Sequence, residues 1–285
     1  VLFFMDKLTV SVILSNLFLF AALIYIYLIC QQKGFDRQKA LLVIFFILIY
    51  PSSLFFSVPY TESLFLLLSA ATLYHTQRRQ YALAFILAGL SLVTRVPGFI
   101  NLLFVIGSLL LDKKWAAFKQ IKFYLYGMIS LVPLAAYLYH MKVLTGDFLA
   151  PLHEQSISWH RGTTIPFMNY FTYLAHPYFN APGGWDIGPN SFLISTAVLF
   201  VYAGYFILYF RALIHDKQAL LFYVYGALLI LVPFASAAVY MTSVVRYMMV
   251  CVPLYLYLVS LASRFELGKM AYVILFVTFN TLTTI

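Results

Sequence analysis

Three ionisable residues stand alone inside long apolar stretches, and their types suit a site that handles phosphate and hydroxyl groups. Glu62, in SVPYTESLF, is the one acidic or basic residue between Lys39 and Arg78, and Arg246, in MTSVVRYMM, is the one between Lys217 and Arg264. Arg95 lies in LVTRVPGF, between two further apolar runs. A charge left unpaired in such surroundings costs roughly 3 kcal/mol or more, so each of the three needs a cavity or a partner. A guanidinium cannot shed its proton, and its fork of donors fits phosphate. A carboxylate accepts a hydroxyl's hydrogen bond or takes its proton. Tyr60 and Tyr247 adjoin two of these charges. Tyr60, Glu62, Arg95, Arg246 and Tyr247 are therefore read as one substrate- and phosphate-binding site, with the Glu62 carboxylate at the mouth of an outward cavity.

Each residue also has a plainer reading. Thr61 or Ser63 could cap a helix, with Glu62 favourable at its positive end. Arg95 could snorkel from a hairpin tip, and Arg246 could be a topology charge. Three isolated charges at corresponding ends of their segments favour one shared site.

The elements that must position them are membrane helices. Of 285 residues, 64% are hydrophobic and 9% charged, too much apolar surface for a water-soluble core to hide. About ten spans can be drawn, at 8–30, 40–57, 62–76, 81–94, 97–111, 123–143, 191–210, 219–240, 247–263 and 270–285. The fold class is all-α, a polytopic transmembrane bundle in a single domain over residues 1–285. Most of the 18 basic residues fall in alternate connections, around Lys33, Arg78, Lys113, Arg211 and Arg264. The positive-inside rule places these in the cytosol, which explains the net charge of +9 without nucleic acid. Glu62, Arg95 and Arg246 then face outward. The segment Asp112–Lys122 has Trp115, Phe118 and Ile121 at helical spacing among lysines, as in an interfacial helix.

One external connection, residues 144–190, is far longer than the others and is rich in aromatics, as in a cap on the membrane surface. Asp147, His153, Glu154, His160, Arg161 and Asp186 are weaker acid–base candidates there. Their spacing matches no metal-ligand pattern, and neither metal nor cofactor is expected. Val1 is not an initiator, and an outside start implies at least one missing upstream span if the true N-terminus is cytosolic.

At SSLFFSVPYTESLFLLLSAATLY, followed by RRQYALAFILAGLSLVTRVPGFI, the sequence resembles the PIG-V family of mannosyltransferases, within the GT-C group of polytopic glycosyltransferases. Pro59 to Phe65 match the family's Tyr-Ser/Thr-Glu-Ser/Ala-Leu-Phe segment, Arg95 and Gly98 its Arg-x-x-Gly turn, and Ser243, Arg246 and Tyr247 its Ser-x-x-Arg-Tyr segment. The resemblance implies transfer of mannose or a related sugar from a polyprenyl-phosphate donor to a lipid or glycan acceptor on the external or luminal face. In the eukaryotic branch that acceptor is a GPI precursor. It also implies a catalytic acid in the first external loop, which would lie upstream of residue 1; Asp6 is a poor substitute. The outer loops lack an Asn-x-Ser/Thr sequon, which favours a bacterial plasma membrane over the ER. The rival reading is a transporter or flippase for a lipid-linked or small polar substrate, which would place broken helices in corresponding halves and charges near the midplane.

Overall fold

The computed structural model describes residues 6–158, 162, 164–177, 188–235, 241 and 243–264. Every regular element among them is helical: α1 (Lys7–Gln32), α2 (Arg37–Leu48), α3 (Glu62–Gln77), α4 (Tyr81–Thr94), α5 (Gly98–Lys113), α6 (Ile121–Thr145), α7 (Ala150–Ile157), α8 (Met168–Ala175), α9 (Pro189–His215), α10 (Lys217–Phe234), α11 (Val244–Met248) and α12 (Val252–Arg264). Two 3-10 turns, Ser53–Phe56 and Lys114–Lys119, join them. Four helices, α1, α6, α9 and α10, are long and apolar enough to cross a membrane. This is an integral membrane protein.

Acidic residues start several helices. Asp6 accepts the Thr9 amide at 2.9 Å, Asp36 the Lys39 amide at 2.8 Å, and Asp216 the amides of Gln218 and Ala219. Each satisfies donors that the first helical turn leaves unpaired. At the other end, α6 stops at Gly146, whose φ of 79° lets its amide turn back to the Lys142 carbonyl.

Helix α1 packs along α3, and α3, α4 and α5 follow one another as antiparallel hairpins. Helix α5 lies against α10, and α12 fits between α9, α10 and α2. Nearly every side chain of α12 is buried, including Tyr255 and Tyr257, so it forms the centre of the main core. Helix α6 is the opposite case. It touches the bundle chiefly through α4, and Ser130 is its one buried residue. In a bilayer its remaining apolar surface faces lipid, which costs nothing there. The α4–α6 approach is close because Gly89 has no side chain where the Ser130 backbone passes.

Uncharged polar residues cross-link the hairpins from inside. Asn101 on α5 donates to Ser69 on α3 at 3.0 Å and to Ser91 on α4 at 2.9 Å. Its side-chain oxygen accepts from Tyr225 on α10 at 2.8 Å. Four helices thus meet on one amide, all of it buried.

Helices lie within the first nine drawn segments. The second is helical only to Leu48, before a turn and the Ser53–Phe56 3-10 turn, and the ninth is broken between Met248 and Val252. Among the described residues four helices are long and apolar enough to span. The drawn segment 270–285 lies outside the described residues, as does 236–240 of the eighth. The expected interfacial helix at 112–122 needs correcting: α5 continues to Lys113, and Lys114–Lys119 form a 3-10 turn. Its break is a left-handed Lys114, with φ 51°. In the long connection, α7 packs on α6, while 164–175 dock onto the ends of α9 and α10. Phe167 stacks on Phe234 with centroids 4.7 Å apart, and Tyr170 on Phe192 at 4.8 Å.

Candidate functional site

The turn at Arg78–Gln80 reverses the chain, so the start of α3 and the end of α4 come to the same end of the bundle. Glu62 is the first residue of α3, and Arg95 the residue directly after α4. Arg95 sits in extended backbone, φ −155° and ψ 149°, which ends α4 before the turn into α5. Arg246 arrives from the far end of the sequence on the one-and-a-half turns of α11.

These three charges meet. Arg95 Nη1 pairs with Glu62 Oε1, and Arg246 Nε donates to the same oxygen at 2.5 Å. The Glu62 side chain is fully buried, whereas Arg95 and Arg246 keep 12% and 18% of their side chains exposed. Those small exposures order the cluster: the guanidiniums lie nearer the surface, and the carboxylate lies behind them. Two cations against one anion leave the cluster with an excess positive charge.

Aromatic rings hold the guanidiniums flat. Arg246 lies over Phe55 at 4.0 Å and over Tyr60 at 4.2 Å, and Arg95 lies over Tyr247 at 4.8 Å. Such contacts contribute about 0.5–2 kcal/mol each and restrict the side chain before any ligand arrives. Phe55 is the one member of this group that the sequence reading missed. Its signal was the 3-10 turn of SSLFF, whose aromatic residues looked like ordinary core.

The structure corrects two details. Glu62 does not stand at the mouth of a cavity; it is sealed behind its arginines. Thr61 occupies the capping position of α3 but makes no side-chain cap bond, and the Ser63 hydroxyl is buried without a partner among the described residues. The helix start is therefore not held by a capping side chain. Glu62 itself is pinned by the arginines, through one oxygen alone. Its Oε2 is buried and has no hydrogen-bond partner among the described residues.

The candidates of the long connection lie apart from this cluster. Asp147 accepts the Leu149 amide at 2.9 Å and pairs with His153 at 2.6 Å, both side chains being exposed. The backbone bond to Leu149, then His153, hold the Asp147 carboxyl below its ordinary value. Glu154 accepts from the Ser158 hydroxyl at 2.6 Å. None of the three bonds to Glu62, Arg95 or Arg246 among the described residues, and all read as local braces of α7. His160, Arg161 and Asp186 lie outside the described residues.

No family model, no curated protein and no solved structure matches this chain.

Proposed function

We propose that the protein is a membrane glycosyltransferase that moves mannose or a related sugar from a polyprenyl-phosphate donor to an acceptor hydroxyl at the external face of a bundle of about ten spans. A bacterial plasma membrane is its favoured location. The observation that carries the reading is the division of labour on Glu62: Oε1 receives both guanidiniums, and Oε2 is left for a further partner. The excess positive charge of Arg95 and Arg246 suits a phosphate, and the buried, unbonded carboxylate oxygen suits a hydroxyl donor that reaches it when the arginines engage a ligand.

In this reading the acceptor oxygen bonds to the anomeric carbon while that carbon's bond to the phosphate oxygen breaks. The electron pair leaves with the phosphate, and the two guanidiniums take up its charge. Preorganised donors of this kind stabilise developing charge most where water is scarce. The rings of Phe55, Tyr60 and Tyr247 beside the guanidiniums keep those donors from collapsing onto other acceptors. Glu62 positions the arginines, accepts the hydrogen bond of the incoming hydroxyl and takes up its proton as the new bond forms. Inversion at the anomeric carbon is the expected outcome.

The test supplies radiolabelled polyprenyl-phosphate mannose to membranes containing the protein and follows label into the acceptor fraction. Transfer that disappears in Arg95→Ala and Glu62→Ala forms present at normal levels supports the assignment. Absence of transfer by the unaltered protein, or full transfer by both variants, overturns it.

A further inference from the structure

A cavity lined by basic residues lies at the other end of the α4–α5 hairpin. Helix α4 runs for 14 residues from Tyr81 to Thr94, about 21 Å at 1.5 Å per residue. The Arg95 end and the Tyr81 end are thus well separated, and the second site is independent of the sugar-transfer reading. The cavity has a volume of about 170 Å³ and is lined by Arg79, Lys113 and Lys122, with Gln120, Phe123 and Tyr126 among its other walls.

The charge in this cavity is not cancelled. The neighbouring carboxylate, Asp112, is already engaged by Arg79 at 3.0 Å and by the Tyr81 hydroxyl at 2.5 Å. Lys113 donates to the neutral Gln120 side chain at 3.1 Å. Neither Lys113 nor Lys122 has an ion-pair partner among the described residues. Gln120, Lys122 and Phe123 belong to the start of α6, which has no side-chain cap. The Phe123 amide bonds back to the Gln120 carbonyl, and the start of this 25-residue helix carries the positive end of its dipole.

The backbone is also set for this purpose. Arg79 has φ 59°, at a helix-ending position that usually belongs to glycine. Strained left-handed residues persist where the surroundings hold them, often at ligand sites. The Arg79 guanidinium pairs with Asp112, which also accepts from the cavity-lining Tyr81.

From this geometry we infer that the cavity binds the phosphate of an anionic phospholipid headgroup. The chemistry on offer is a phosphate anion met by two unpaired ammonium groups, a helix start and aromatic walls. Its position, among the lysine- and arginine-rich connections at the ends of apolar helices, selects a lipid as the source. Basic pockets between membrane helices hold lipid phosphates in this way. The volume admits a headgroup and leaves the acyl chains to lie along α6, which is exposed along its length.

The test measures lipid binding to the purified full chain by native mass spectrometry in neutral detergent, with phosphatidylglycerol, phosphatidylcholine and inorganic phosphate as separate probes. Phosphatidylglycerol is expected to bind in preference to phosphatidylcholine, and to lose affinity roughly tenfold or more in a Lys113→Gln/Lys122→Gln variant. Both lysines are exposed, so the variant keeps its fold. Lys142→Gln, the same loss of charge on the opposite end of α6, is expected to bind as the unaltered protein does. Equal binding of the two lipids, or an unaffected double variant, overturns the inference. Saturation by inorganic phosphate with no added affinity for phosphatidylglycerol overturns the lipid source and assigns the cavity to free phosphate.

Discussion

Arg246 and Glu62 are 184 positions apart in the chain, yet the arginine Nε lies 2.5 Å from the carboxylate Oε1. The bond ties α11 to the first residue of α3. Because Arg95 shares that oxygen, one carboxylate closes three segments into a single unit. The cost of burying Glu62 is met by the two guanidiniums together, and neither alone would leave the cluster positively charged.

Removing Glu62 leaves two adjacent, partly buried guanidiniums facing one another. Glu62→Ala is expected to destabilise the folded protein by about 3–5 kcal/mol, as breaking a buried ion pair from one side does. Thermal unfolding in detergent measures it. The Glu62→Ala/Arg246→Ala double variant is expected to lose less than the two single losses combined, because the pair is coupled. Simple additivity would mean that the contact contributes nothing.

Arg95→Lys keeps the positive charge and removes the planar fork. Glu62 retains a cationic neighbour, so stability is expected to stay close to that of the unaltered protein. Sugar transfer is expected to fall by roughly 10²–10³-fold if the guanidinium carries charge on the leaving phosphate. Initial rates at saturating donor check this, and an unchanged rate would remove Arg95 from the reaction.

Glycine positions divide into two kinds. A Cβ on Gly89 would strike the Ser130 backbone, with its Cα at 2.8 Å and its carbonyl carbon at 2.9 Å. Main-chain atoms cannot swing aside as a side chain does. Gly89→Ala is expected to lower stability by about 1–3 kcal/mol through overpacking at the α4–α6 contact. Gly127, on α6 itself, has nothing near its Cβ direction. Gly127→Ala is expected to be neutral or to gain up to about 1 kcal/mol of helix stability. Melting temperatures of the two variants side by side check the contrast.

Asp147 braces the turn between α6 and α7, and its carboxyl is held below the usual value by the Leu149 amide and by His153. A depressed folded-state pKa contributes stability above the unfolded value, and that contribution is lost as pH falls through the folded value. Acidification to below the ordinary carboxylate range near 4 is therefore expected to loosen residues 147–153. Hydrogen exchange of the Leu149 amide across that range measures the effect. In Asp147→Asn the change in that amide's protection, after correction for intrinsic exchange, is expected to disappear.

Much of the candidate site could be read from the chain alone. Glu62, Arg95 and Arg246 were conspicuous because ionisable groups are costly in apolar segments, so few occur and each needs a reason. The buried network around Asn101 was harder to see. An amide in FINLLF carries no charge, and its partners Ser69, Ser91 and Tyr225 look like ordinary members of membrane helices. Its one sequence signal is that Asn101 is the sole amide side chain in α5.

The sequence by itself determined that the protein is helical and membrane-embedded and which charges had to find partners. These follow from the local chemistry of apolar runs and isolated charges. Only the tertiary structure decided that Glu62 faces inward behind its arginines, that both bind one oxygen, and that Phe55 joins Tyr60 around Arg246. Those outcomes depend on how α3, α4 and α11 approach one another, and packing between distant segments sets that approach. No spacing along the chain encodes it.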